Sequence, residues 1–222
     1  TPVVRVLGPW REWLDRWPTP RDLAAVAPGD AVRAWGRLGY PRRALRLHAA
    51  ARLITEQHDG EVPSDLTALR ALPGVGEYTA AAVSSFGFGQ RHTVIDVNVA
   101  RVLTRYTHDA KPASPAVLRR RAAELVPDSP ALAAAWAAAS MELGAMVCTA
   151  SSPSCQSCPV SQGCRWLAAG RPELPRSGRP QAWHGTDRQC RGRLLAVLRE
   201  ATHPVPSAVL LAAWPQDAEQ AE

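Results

Sequence analysis

A chain of 222 residues with 46% apolar side chains has room for one large or two modest domains and a real core, which excludes a disordered tail or a disulfide-stapled miniprotein. Lys+Arg 26 against Asp+Glu 20 gives a formal charge of +6 and a pI near 9.5, a balance that permits a polyanionic partner without requiring one. Alanine is abundant and long alternating β-branched runs are absent, so the composition predicts a mostly helical protein. No stretch reads as the ~18 apolar residues of a membrane helix and no signal-peptide pattern opens the chain, so an intracellular protein with no membrane partner is expected.

Val3 to Trp17 predicts one helix with Val, Leu and Trp on one face, closed by Trp17-Pro18-Thr19-Pro20. Asp22 to Ala27 and Gly29 to Leu38 predict two short helices. Gly39-Tyr40-Pro41 breaks the pattern, and Arg42 to Gln57 resumes it with Ala44, Leu45, Leu47, Ala50, Leu53 and Ile54 as the buried stripe. Arg33, Arg37, Arg42, Arg43, Arg46 and Arg52 fall between Ala31 and Ile54 with no acid among them. A charge run is usually a solvated face; an acid-free one is less usual.

Asp65 to Leu72 and Tyr78 to Phe86 predict two helices joined through Pro73-Gly74-Val75-Gly76. Gly74 and Gly76 are expected at positive φ, and the absence of a Cβ would let the N–H groups of Val75 to Tyr78 press against an anion. From these residues alone an ordinary helix-helix turn is an equal reading. Thr93-Val94-Ile95 reads as extended, and Asp96 as the N-cap of a helix running to Leu103, a role worth ~1 kcal/mol. Lys111 to Ser114 reads as a loop, followed by helices over Pro115 to Val126 and Pro130 to Leu143. Gly170 to Pro180 reads as a linker, Arg191 to Thr202 and Ser207 to Trp214 as helices of a small appended unit.

Four of the five cysteines, Cys148, Cys155, Cys158 and Cys164, are packed into 17 residues with C-x6-C-x2-C-x5-C spacing. Four thiolates this close bind a metal, and the spacing leaves both zinc and a [4Fe–4S] cluster open. Cys190 is read as an ordinary free thiol.

Three of these features together resemble one family. The cysteine spacing resembles the cluster loop of the endonuclease III-like DNA glycosylases, and Leu72-Pro73-Gly74-Val75-Gly76 resembles their helix-hairpin-helix. Asp96 stands 20 residues beyond Gly76, where that superfamily carries its catalytic aspartate. Leu38-Gly39-Tyr40, Gly76-Glu77-Tyr78-Thr79-Ala80 and Met141-Glu142-Leu143-Gly144-Ala145-Met146-Val147-Cys148-Thr149 look like the adenine DNA glycosylase (MutY) branch. The likeness spans Thr1 to Gly170.

The resemblance implies an all-α, two-lobed helix-hairpin-helix fold with an iron–sulfur loop. It places a helical bundle over residues 1–92, a cluster domain over 93–170 and a linker with a small helical unit over 171–222. It implies a [4Fe–4S] cofactor on Cys148, Cys155, Cys158 and Cys164. The implied partner is double-stranded DNA with a mismatched or oxidised pair, bound by a cytoplasmic, nucleoid-associated monomer. The expected reaction is removal of adenine opposite 8-oxoguanine or guanine. Asp96 would stabilise the sugar cation, and Asn98 would orient the reacting groups. Tyr78 stands where strand-cleaving relatives have lysine, and a phenol cannot form the imine that leads to β-elimination. The flipped adenine would leave an orphan base beside Leu38, Gly39 and Tyr40, with Arg37, Arg42 and Arg43 on phosphates. Gly74, Val75, Gly76 and Glu77 would form the hairpin contact, and Arg101 a secondary phosphate contact or a structural tie.

The chain departs from the pattern at Val97, where the branch often has glycine, and the segment after the linker is too short for a large 8-oxoguanine-reading domain. A proton-donating glutamate is expected on the first helix, where Glu12 is the one acid up to Trp13. The glutamine pair that wedges into DNA is not present, so a molecule beginning at Thr1 is expected to bind duplex and excise poorly. Two other readings stand beside this one: a thymine or uracil mismatch glycosylase, and a non-catalytic iron–sulfur DNA-binding protein.

Overall fold

A computed structural model of the chain describes residues 3–107, 114–173 and 183–214. The Thr1-Pro2 phrase, most of the 111–114 loop, the proline-rich part of the linker and the chain beyond Trp214 lie outside the described residues. Among the described residues there are twelve α-helices, two π-helical turns, two short 3-10 turns and no strand. The all-α expectation therefore holds. Packing divides the chain into two units, Thr1–Glu61 with Ser177–Glu222, and Val62–Arg176. The expected boundary at 92/93 differs from this division. The hairpin packs with the chain downstream of it: Leu66, Ala81 and Ala82 share a core with Val94, Trp136, Ala137 and Met141.

In the first unit, α1 (Val3–Arg16), α2 (Pro20–Ala25), α3 (Pro28–Trp35) and α4 (Arg42–Gln57) match the predicted helices within a few residues. Thr19 starts α2 with a capping box: its hydroxyl accepts from the Asp22 N–H, and the Asp22 carboxylate accepts from Thr19 N at 2.9 Å. Trp17, Leu23, Ala31 and Ala51 form the core, with Trp13 standing edge-on to Trp17 at 5.0 Å and to Trp35 at 5.7 Å. The single-face expectation for α1 holds only at its end. Val3, Val4, Leu7, Trp10 and Leu14 are exposed, and none of the helix's residues is fully buried. The arginine run is less isolated than it reads, because acids just outside it reach in: Asp30 pairs with Arg33 at 3.0 Å and Glu56 with Arg52 at 3.2 Å. Helices α11 (Asp187–Glu200) and α12 (Ser207–Ala212) complete this unit.

In the second unit, α5 (Leu66–Ala71) and α6 (Glu77–Ala82) make the hairpin, and a π turn over Val83–Gly87 extends α6. The Asp65 side chain caps α5 by accepting from Ala68 N at 2.8 Å. Helices α7 (Val97–Thr107), α8 (Pro115–Leu125), α9 (Pro130–Glu142) and α10 (Arg165–Ala168) come next, with a second π turn over Leu143–Val147. Val99 and Leu103 on α7 pack with Leu118 and Ala122 on α8, and Trp136 of α9 touches both this cluster and the hairpin's.

One expectation about α9 needs correcting. Pro130–Val147 is a continuous helical run of 18 residues with mean hydropathy 1.3, long and apolar enough to cross a membrane by length and composition. Its alanines contribute much of that value, and their smallness lets it pack: Ala133, Ala137 and Gly144 are buried. At Gly144 the approach is closest. A Cβ there would stand 2.7 Å from the Asn98 Cβ and 2.8 Å from the Asn98 carbonyl oxygen. The second of these is backbone and cannot swing aside, so α7 or the π turn must shift. Gly144→Ala should cost about 1–3 kcal/mol. In thermal unfolding that appears as a loss of roughly 2–4 °C per kcal/mol, whereas an unchanged midpoint would show that the two backbones are not in contact.

Candidate active site and cysteine loop

Asp96 sits where the extended segment turns into α7 and is the cap the sequence predicts. One carboxylate oxygen accepts from Asn98 N at 2.8 Å and Val99 N at 2.7 Å, and the other from the Asn98 side-chain amide at 2.8 Å. The carboxyl group is thus fixed in plane and direction by three donors. Asn98 is held in turn: its Oδ1 accepts from Arg101 Nη2 at 2.7 Å, which sets which end of the amide faces Asp96. Arg101 also donates from Nε to the Cys148 carbonyl at 2.7 Å, and from Nη2 to the Gly144 carbonyl. Of the two roles expected for Arg101, the structural tie is the one these bonds describe. Its guanidinium is spent inside the protein, joining the Asp96 side of α7 to the start of the cysteine loop.

Tyr78 and Asp96 line one open hollow of about 350 Å³ that also includes Glu77 and Arg119. Burial, and then the nearby Asp96 carboxylate, push the Tyr78 phenol above its ordinary pKa. The phenol stays protonated at neutral pH and faces the site as a hydroxyl. Glu77 is paired with Arg119 at 3.0 Å, both side chains about half exposed. A solvent-exposed pair of this kind contributes little to stability. It does bring a cation from α8 to the mouth of the hollow, a residue the sequence reading did not single out.

The hairpin differs from expectation at two positions. Gly74 has φ +84 as expected, but Gly76 has φ −90 and ψ 179, extended backbone open to any residue, with no atom within 4 Å of where a Cβ would lie. Val75 N–H donates to the Leu72 carbonyl at 3.1 Å, so it closes the turn and does not point out to a ligand. A tight turn here needs one left-handed residue, and Gly74 supplies it.

Cys148, Cys155, Cys158 and Cys164 line one pocket, together with Arg105 and Trp166. Short 3-10 turns at Cys155–Ser157 and Ser161–Gly163 carry the chain between them. Among the described residues no three His, Cys, Asp or Glu side chains converge closely enough to hold a single metal ion. Arg105 of α7 is buried; Nη1 donates to the Thr149 carbonyl at 2.7 Å and lies 3.3 Å from Cys148 Sγ, and Nη2 donates to the Ala150 carbonyl at 3.0 Å. The sequence reading missed Arg105. The available signal was the spacing of Arg101 and Arg105, four apart on a helix whose Val99, Val102 and Leu103 are core, so that both project from one side.

In the other unit, Trp35 Nε1 donates to the Gly39 carbonyl at 2.8 Å, closing the Leu38-Gly39-Tyr40 turn. Gly39 has φ 81 and Tyr40 φ 49, a left-handed conformation that is strained for a tyrosine. The Tyr40 ring is 69% exposed and lies under the guanidinium of Arg188 at 5.7 Å. Arg37, Arg42 and Arg43 are exposed around it, Leu38 is half-buried, and Arg43 leans over the Trp35 ring at 5.6 Å. Glu12 is exposed on α1, 3.8 Å from Arg16, in a setting that gives it no enclosed acid role.

Residues 1–128 match the HhH-GPD superfamily of base excision DNA repair proteins, and residues 148–164 match the iron-sulfur binding domain of endonuclease III. The chain is 50% identical to an adenine DNA glycosylase of Mycolicibacterium smegmatis, over 99% of this chain and 75% of that protein. It is 48% identical to an adenine DNA glycosylase of Mycobacterium tuberculosis, over 99% of this chain and 73% of that protein. Among solved structures, a thermostable thymine-DNA glycosylase superposes with a TM-score of 0.67 at 25% identity, covering 73% of this chain and 76% of that one. With a hairpin, a tyrosine in place of lysine, a capped aspartate and a four-cysteine loop in that order, the chain belongs to the adenine DNA glycosylase family of the helix-hairpin-helix superfamily.

Proposed function

We propose that the protein is a monofunctional DNA glycosylase that hydrolyses the N-glycosidic bond of adenine paired with 8-oxoguanine or guanine in double-stranded DNA. The observation that carries this reading is the Asp96 carboxylate, held by three N–H donors in a hollow shared with the protonated Tyr78. Loss of a purine leaves positive charge on the sugar. A carboxylate already oriented toward that charge stabilises it without reorganising as the bond breaks. Tyr78 supplies a hydroxyl that donates a hydrogen bond to Asp96 or the intermediate and has no amine to trap the sugar, so the product is free base and an intact abasic site. The half-exposed turn at Leu38, Gly39 and Tyr40 serves to meet the orphan base, with Arg37, Arg42 and Arg43 on phosphates. Gly74, Gly76 and Glu77 form the hairpin contact, with Glu77 neutralised by Arg119. The protein acts as a monomer.

The cysteine loop fits a [4Fe–4S] cluster better than zinc. Residues 148–164 match the iron-sulfur binding domain of endonuclease III, and the four cysteines line one pocket. A cubane gives each thiolate its own iron. Cys148, Cys155, Cys158 and Cys164 would hold it, and it would fold the loop rather than take part in base removal.

Asp96→Asn keeps a competent cap while removing the charge. Single-turnover excision of adenine opposite 8-oxoguanine should fall by at least ~10² with duplex affinity nearly intact; full activity would remove Asp96 from the mechanism. The same assay on thymine or uracil opposite guanine distinguishes the adenine reading from a pyrimidine-mismatch one. Borohydride added during turnover should trap no protein–DNA adduct, and efficient trapping would place an amine at the sugar. Anaerobically purified protein should be brown with about four irons; one tightly held zinc and no iron would exclude the cluster.

A further inference from the structure

We infer that Arg105 is the charge partner of the loaded cysteine loop, a positioning residue that holds both ends of the loop and sets the reduction potential of the group bound there. Its side chain is 6% exposed, and among the described residues no carboxylate lies within ion-pair reach of it. A buried guanidinium without a counter-charge costs several kcal/mol, so its retention needs an anion. The Cys148, Thr149 and Ala150 carbonyls accept from its Nη1 and Nη2 donors but bring no net charge. Its Nε–H is buried and has no acceptor.

The one anionic group this surrounding can acquire is the cysteine set itself. Nη1 lies 3.3 Å from Cys148 Sγ, and all four cysteines line the same pocket as Arg105. Cysteines bind metal as thiolates, so loading the site deprotonates them and creates the missing negative charge beside the guanidinium. The contact at the far end is equally specific: the guanidinium carbon stands 4.5 Å from the ring centroid of Trp166, two residues past Cys164, and Trp166 Nε1 donates to the Pro172 carbonyl at 2.8 Å. One side chain therefore touches the backbone after the first ligand and the ring after the last. A cation and an N–H···S bond beside a cluster favour its more reduced, more negative state, so Arg105 raises the potential.

This inference rests on the iron–sulfur reading above and fails separately from it. Iron, sulfide and zinc content of the wild-type protein decide the reading; the variants decide Arg105. Arg105→Lys keeps the charge but loses the fork that reaches sulfur and carbonyls together, and Arg105→Met removes the charge at similar length. Voltammetry of the iron-loaded proteins should show a more negative midpoint for Lys than for wild type, and a more negative one again for Met. Iron release to a chelator should be at least tenfold faster in Met than in wild type. A merely structural tether would weaken the loop without moving the potential of cluster that remains bound. If Met does not fold, Lys alone decides: a shifted midpoint supports the inference and a wild-type midpoint overturns it. Wild-type potential and iron retention in a folded Met variant would also overturn it.

Discussion

Everything in the Val62–Arg176 unit depends on how closely α7 can lie against the turn that precedes the first cysteine. That approach is possible because one residue, Gly144, has no side chain, and it is secured because Arg101 and Arg105 spend their donors on carbonyls from Gly144 to Ala150. The carbonyls involved lie at a helix end and in a loop, where backbone acceptors lack intrahelical partners. The arginines thus do for the loop what capping side chains do for a helix. The same helix carries Asp96 at its start, so the carboxylate's direction is inherited from the packing of α7 and not from the hairpin alone.

The division of chemistry among these residues reflects what each can and cannot do. A carboxylate with donors on both oxygens presents its charge without rotating, and a phenol whose ionisation is opposed by burial and by that carboxylate presents a proton without losing it. In the mechanism proposed above, tyrosine in place of lysine would change the reaction's end point more than its beginning: stabilisation of the sugar cation would be retained and the covalent route closed. Glu77 next to a polyanion would be unfavourable on its own. Its pairing with Arg119 makes that corner of the hollow close to neutral.

Much of this was legible from residue types and spacing. Helix positions were set by proline and glycine punctuation and by starts at Asp65 and Asp96, each of which caps its helix, whereas Thr19, read as part of the phrase closing the first helix, caps the second. The cysteine set was legible because its spacing is short-range. Gly76 was misread because glycine in a turn invites a positive φ that only Gly74 adopts; the sequence records permission, and geometry uses it at one site. Arg101 was left between a phosphate contact and a structural tie because its acceptors lie 43 and 47 residues away. Arg105 was invisible for the same reason: burial of a charge is decided by partners distant in sequence. The apolar length of α9 was underestimated because alanine counts weakly residue by residue and strongly in sum.

The order of these elements along the chain has a consequence for how the protein is made. Arg101 leaves the ribosome 47 residues before Cys148, an interval of roughly 2–9 s at ~5–20 residues per second. A helix such as α7 forms in about a microsecond. When the alanine-rich α9 emerges, its packing surface is already waiting, so an apolar segment long enough to be misread as a membrane span has a partner during synthesis. The cysteines come last, onto two arginines already in place. Capture of the proposed cluster would then be a late event in this unit's synthesis.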